Sequence, residues 1–116
     1  MLEKCSRIRK EEDFDRVFRQ GKPLFFGEIA CKFLPTREPF FRVGFSFGKK
    51  HLPLATERNR LRRRLSHAIF QEKKHWPTGF DVVFFTTRKP KDASYATMEQ
   101  VATRLFQALN NAKRDK

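Results

Sequence analysis

The sequence predicts an α+β fold, one sheet with helices packed on it as a two-layer sandwich, and three patterns carry that prediction. Val43, Phe45 and Phe47 alternate with Gly44, Ser46 and Gly48, the two-residue period of a strand with one buried face. Phe80 to Thr87 is a nearly continuous apolar run, the pattern of a strand covered on both faces. Leu61, Leu65, Ala68 and Ile69 recur at i, i+4, i+7 and i+8, the stripe of a helix docked on a core. At 116 residues the chain is long enough for a single domain to bury such a core without metal or disulfide staples.

The elements follow in order. A basic lead occupies 1–10, a compact domain 11–111 and a frayed basic tail 112–116. Glu11 to Arg19 places Phe14, Val17 and Phe18 at i, i+3 and i+4, with acids in the first turn where the helix dipole favours them. Gly21 stops this helix and Pro23 prevents its continuation. Leu24 to Leu34 reads as extended, with Ile29, Cys31 and Phe33 alternating against Ala30 and Lys32 and a further short strand at Leu24 to Phe26. Pro35 to Pro39 is a loop, and the strand Arg42 to Gly48 follows. Pro53 suits the first turn of the next helix, Thr56 to Phe70. Pro77 and Gly79 turn the chain into the strand beginning at Phe80. Asp92 or Ser94 caps a last helix with Met98, Val101, Ala102, Leu105 and Leu109 as its stripe. With the short strand counted, the order is α-β-β-β-α-β-α.

Charge says what the fold is for. The formal net charge is +13, which calls for a polyanionic partner, either nucleic acid or an anionic membrane surface. Between Arg42 and Phe70 stand eight Lys or Arg against Glu57 alone. Five of them, Arg58, Arg60, Arg62, Arg63 and Arg64, fall in seven residues of the helix. Helical spacing puts Asn59, Arg60, Arg63 and His67 opposite the apolar stripe, with Arg62 and Arg64 on its flanks. A charge run of this kind is most often a solvated helix face. Here arginine dominates, and its planar fork matches phosphate oxygens in pairs and stacks on bases. Lys49 and Lys50 sit just upstream. Phe14 and Phe18 read first as core, or as stacking platforms if half covered. The strand face at Gly44 and Ser46, nearly bare of side chains, lets a ligand backbone approach the sheet.

Several function classes drop out. Cys5 and Cys31 lack metal-ligand spacing and fit a reducing cytosol. His51, His67 and His75 complete no site, and no carboxylate cluster is able to hold the metal pair of a protein nuclease. The longest apolar runs span four or five residues, and no apolar segment marks a signal peptide, so a soluble, cytoplasmic protein is expected. No second helix directly precedes the basic one, as a helix-turn-helix regulator would require.

Arg42-Val-Gly-Phe-Ser-Phe-Gly-Lys-Lys50, followed by Glu57-Arg-Asn-Arg-Leu-Arg-Arg-Arg-Leu65, resembles the protein subunit of bacterial ribonuclease P. Asp13-Phe-Asp-Arg-Val-Phe18, Phe80-Asp-Val-Val-Phe-Phe85 and Asp92-Ala-Ser94 extend the likeness from about Arg7 to Leu109. The resemblance implies a mixed four-stranded sheet with a left-handed βαβ crossover, a sandwich of the kind also found in a ribosomal protein. It implies that a catalytic RNA cleaves precursor tRNA at the mature 5′ end with Mg²⁺, while the protein binds no cofactor of its own. One protein per RNA subunit, and no membrane, are the expected partnership. Carried over residue by residue, Lys49, Lys50, Arg58, Asn59, Arg60, Arg62 and Arg63 face the catalytic RNA. Phe14 and Phe18 wall the cleft for the 5′ leader, and no residue is catalytic or binds metal; from the bare strand face, not from the resemblance, we read Gly44 and Ser46 as the cleft's floor. Ser66-His67 departs from the family pattern, and Ser66 is given no role. The rival reading is a small ribosomal or ribosome-associated protein that binds rRNA without any catalytic role.

Overall fold

A computed structural model describes residues 6–114, which fold as α1 (Glu11–Gln20), β1 (Lys22–Phe26), β2 (Ile29–Pro35), β3 (Phe41–Phe45), α2 (Ala55–Gln71), β4 (Phe80–Thr86) and α3 (Tyr95–Arg114). A 3₁₀ turn at Lys73–His75 follows α2. The strands form one mixed sheet in the order β1-β2-β4-β3. β1 and β4 run antiparallel to β2, and β3 runs parallel to β4, so α2 is the crossover of a βαβ unit.

Burial follows the sequence pattern closely. β4 lies between β2 and β3 and is buried along almost its whole length, as its apolar run predicts. Val82 and Phe84 face a large core shared with Leu61, Leu65, Ala68 and Ile69 of α2 and with Met98, Val101, Leu105 and Leu109 of α3. Val83 faces the other way, into a small cluster with Ile8 and Val17, against which Phe14, Phe18 and Leu34 pack. Helices therefore cover both faces of the sheet, α2 and α3 on one and α1 alone on the other. Cys31 lies in the large core, and burial pushes its thiol well above the ordinary range.

Local chemistry sets the boundaries. Gly27 takes φ +80° in the two-residue connection of β1 to β2, the kind of hairpin turn that favours glycine. β3 ends at Phe45, earlier than the alternation predicts, although Ser46 N still donates to Phe84 O at 2.8 Å. Pro53 stays outside α2, whose N-cap is Leu54. The cap has no side-chain acceptor; instead Arg58 Nη1 reaches back to donate to Leu52 O at 2.8 Å and Pro53 O at 3.1 Å. Ser94 and Asp92 share the start of α3. Thr97 N donates to Ser94 Oγ at 3.3 Å, while Asp92 accepts from Ser94 N and from the Thr97 hydroxyl. Helix α3 continues through Arg114, past the expected end of the compact domain at 111. At the other end, Arg7 bridges to Val43, and Ile8 N donates to Val43 O at 3.0 Å. Part of the basic lead is thus docked on the sheet edge; residues 1–5, with Cys5, and residues 115–116 lie outside the described chain.

One ionic cluster ties α1 to the sheet. Arg42 Nε and Nη2 donate to the two carboxylate oxygens of Asp81 at 2.9 and 2.7 Å, and Arg42 Nη1 lies 3.6 Å from Asp13 of α1. Arg16 reaches the same Asp13 at 3.1 Å. Asp81 is buried on the central strand, and its hydrogen bond is the main cause that raises the Arg42 pKa further.

Arg42→Ala leaves Asp81 buried without its partner and is expected to destabilise the fold by about 3–5 kcal/mol in urea unfolding. Asp92 tests the α3 start through pH. The Thr97 hydroxyl, then Ser94, hold its carboxyl below the usual range. A depressed folded-state pKa stabilises above the ordinary carboxylate range and ceases to do so as pH falls through the depressed value. Asp92→Asn should therefore be less stable than the parent at pH 7 and converge with it in acid, as measured by unfolding midpoints.

Candidate nucleic-acid interface

The arginines of α2 divide by the way they point. Arg64 is half-buried, donates to Ala93 O at 2.8 Å and lies over the Tyr95 ring. Arg58 is occupied by the Leu52 and Pro53 carbonyls. Arg60, Arg62 and Arg63 are exposed. Among the described residues Arg60 and Arg63 have no side-chain hydrogen bond or ion pair, and Arg62 donates only to Asn59 Oδ1, one turn back. That bond places Asn59 on the exposed face, away from the helix cap. Glu57, the acid closest in sequence, pairs with Lys89 at 3.6 Å instead of with the arginine row. Lys49 and Lys50 are exposed in the turn leading to α2. The outer face of α2 is thus a row of cations that no acid among the described residues neutralises.

A groove of 600 Å³ opens beside this row. Ile8 and Phe14 wall it, Gly44 and Phe45 line it from β3, and Arg7, Arg9 and Arg62 supply charge. Phe14 stands almost on the β3 backbone: a Cβ at Gly44 would meet the ring at 2.7 Å. The bare strand face is therefore the place where α1 approaches the sheet, and Gly44 is buried under that contact. Phe18 and Ser46 do not line this groove. Phe18 is half-buried one turn along α1, its ring 5.7 Å from that of Phe85. Lys32 Nζ donates to Phe18 O at 2.7 Å and lies 5.8 Å from the Phe18 ring centre. Ser46 is exposed. His51 Nδ1 shares a hydrogen bond with the Thr86 hydroxyl at 3.0 Å.

The Ribonuclease P family model matches residues 2–110. The chain belongs to the Ribonuclease P family. The Ribonuclease P protein component of Halalkalibacterium halodurans is 34 % identical over 113 residues, covering 97 % of this chain and 92 % of that one. The protein of the same name from Pelotomaculum thermopropionicum is 32 % identical over 99 residues, covering 85 % and 88 %. Among solved structures, an RNase P protein from Staphylococcus aureus superposes with a TM-score of 0.79 at 22 % identity, covering 91 % of this chain and 96 % of that one. The RNase P protein from Thermotoga maritima gives 0.75 at 25 % identity, covering 88 % and 96 %. The α+β fold with one mixed sheet is the fold of these Ribonuclease P proteins.

Two features of this Ribonuclease P chain escape sequence reasoning. Arg7 and Arg9 belong to the groove because Ile8 docks on β3, and the lead has no periodicity to announce it. Tyr95 sits against the α2 face by a contact between helices that are far apart in the chain. Gly44 offers a direct check of the groove. Gly44→Ala forces Phe14 and Ile8 to move, since the new methyl would sit 2.7 and 3.1 Å from them. A loss of about 1–3 kcal/mol in denaturant unfolding is expected, by overpacking of a tight contact.

Proposed function

We propose that this chain is the RNA-binding protein subunit of a bacterial ribonuclease P, promoting 5′ maturation of precursor tRNA by a catalytic RNA. The observation that carries the reading is the unneutralised row of Arg60, Arg62 and Arg63 running to the rim of the Phe14 groove. Its relatives are Ribonuclease P protein components. In this reading the α2 face, with Lys49, Lys50 and Asn59, binds the RNA subunit through phosphates and releases counterions. Arg58 adds charge while holding the helix entry in place. The groove and the Phe18 ring receive the 5′ leader, whose lack of fixed sequence suits recognition by backbone charge and stacking. Gly44 holds Phe14 close to the sheet, and Ser46 lies just beyond the end of β3.

Among the described residues no three His, Cys, Asp or Glu side chains converge to hold a metal, and no helix is long and apolar enough to cross a membrane. The Mg²⁺ of the holoenzyme falls to the RNA, and this chain's share of the chemistry is to bind and orient. We assign it to the cytoplasm, with one copy for each RNA subunit and precursor tRNA as the second partner. Family membership leaves the ribosomal reading without a supporting observation.

Reconstitution tests the proposal. The protein, silent alone, should stimulate 5′ cleavage by a ribonuclease P RNA transcript at low Mg²⁺, and more so when the precursor carries its leader. Cleavage without the RNA, or no stimulation at all, would overturn it. Arg60→Ala should weaken binding to the RNA subunit by about 1–3 kcal/mol and lower the salt slope of the affinity by roughly one.

A further inference from the structure

A second depression, of 460 Å³, opens on the other side of Arg62. Phe45, His67 and Tyr95 bring rings to it, while Arg7, Arg62 and Arg63 bring guanidinium groups. Asn59 and Ser66 add hydrogen-bonding groups between them. The volume is within the range of small-ligand sites. Charge alone does not account for such a place, because a phosphate-binding surface needs no rings.

Tyr95 is the informative residue. The residue is 43 % exposed, yet its ring is held from two sides. The Arg64 guanidinium carbon lies 5.4 Å from the ring centre, and the Arg64–Ala93 hydrogen bond fixes that guanidinium in turn. His67 meets the ring edge-on, with centroids 5.5 Å apart and planes at 80°. An exposed ring already immobilised loses little freedom when a base stacks on it. Next to it stand Arg62 and Arg63, which no acid of the described chain neutralises. A fixed ring beside unneutralised guanidinium groups matches an unstacked nucleotide: the ring takes the base face, the guanidinium groups take the phosphate, and Asn59 or Ser66 reach the polar edge.

We propose that this depression is a nucleotide pocket, which receives one unstacked base of the bound RNA against Tyr95 with its phosphate on Arg62 and Arg63. The proposal rests on the reading of α2 as an RNA-binding face and adds a contact of different chemistry to it. Phosphate pairing weakens with salt, whereas stacking in the pocket does not depend on counterion release. Arg64 is then a positioning residue that acts on RNA through Tyr95. Ser66 and His67, where the chain departs from the family pattern, become pocket residues.

The test measures dissociation constants of the full-length protein for a ribonuclease P RNA transcript and, separately, for precursor tRNA, each over a range of salt. Tyr95→Leu should weaken binding to the RNA that supplies the base by about 5- to 100-fold, with an unchanged salt slope, and Tyr95→Phe should bind like the parent. The RNA that loses affinity is the source of the base. Ultraviolet cross-linking of the parent complex, read by mass spectrometry, should place a nucleotide adduct on Tyr95 or His67. Parental affinity of Tyr95→Leu for both RNAs, with Arg60→Ala weakened, would overturn the pocket and leave the α2 reading standing. Parental affinity of both variants would overturn both. If Tyr95→Leu melts at a lower temperature, the cross-link decides: an adduct supports the pocket and its absence overturns it.

Discussion

Arg42 sits between two acids, and the arrangement of the whole α1 side depends on it. Asp81 holds it from the central strand and Asp13 from α1, so one guanidinium joins α1 to two strands of the sheet. A buried charge pair gives little net stability, because desolvation offsets much of the attraction. Its directional bonds do fix where α1 lies. With α1 fixed, Phe14 is held against Gly44, and the groove has a wall of set height. The packing of Val17 against Val83 supplies the apolar half of the same contact.

The chain uses arginine for two opposite purposes. Arg42, Arg58 and Arg64 turn toward acids or backbone carbonyls and act as struts. Arg60, Arg62 and Arg63 turn outward without acidic partners among the described residues. Acids that might have neutralised the outer row are engaged elsewhere: Asp13 and Asp81 on Arg42, Glu57 on Lys89, Glu28 near Arg88. The surface field therefore follows from the internal bonding as much as from composition. Arg62 stands where the two depressions meet and is the only α2 arginine that lines both.

What the sequence made legible was whatever a local period encodes. The stripe Leu61, Leu65, Ala68 and Ile69 is the buried face of α2, and the run from Phe80 is the covered central strand. The exposed position of Arg60 and Arg63 follows from the same geometry. Contacts between distant segments were not legible. Nothing in residues 6–10 announces that Ile8 will bond to Val43, and nothing near Tyr95 announces Arg64. Gly44 was visible as a bare position, but its occupant, the Phe14 ring, depends on how α1 lands. Pro53 was read as a first-turn residue on propensity. Instead Leu54 caps α2, and the Arg58 side chain holds the preceding carbonyls.

The docking of residues 7 and 8 on β3, and of α1 on Asp81 through Arg42, bears on the order in which the chain is made. Residues 7–20 are synthesised first and their partners on β2 and β3 follow, but β4, which carries Asp81 and Val83, emerges only after α2 is complete. Until β4 leaves the ribosome, α1 lacks Val83 and the Asp81–Arg42 anchor, and the arginine helix lacks the central strand of the sheet behind it. A nascent chain at that stage carries the charge of α2 without the finished fold around it, so its pull on any polyanion is electrostatic alone. The wall of the groove is fully anchored only with the last strand.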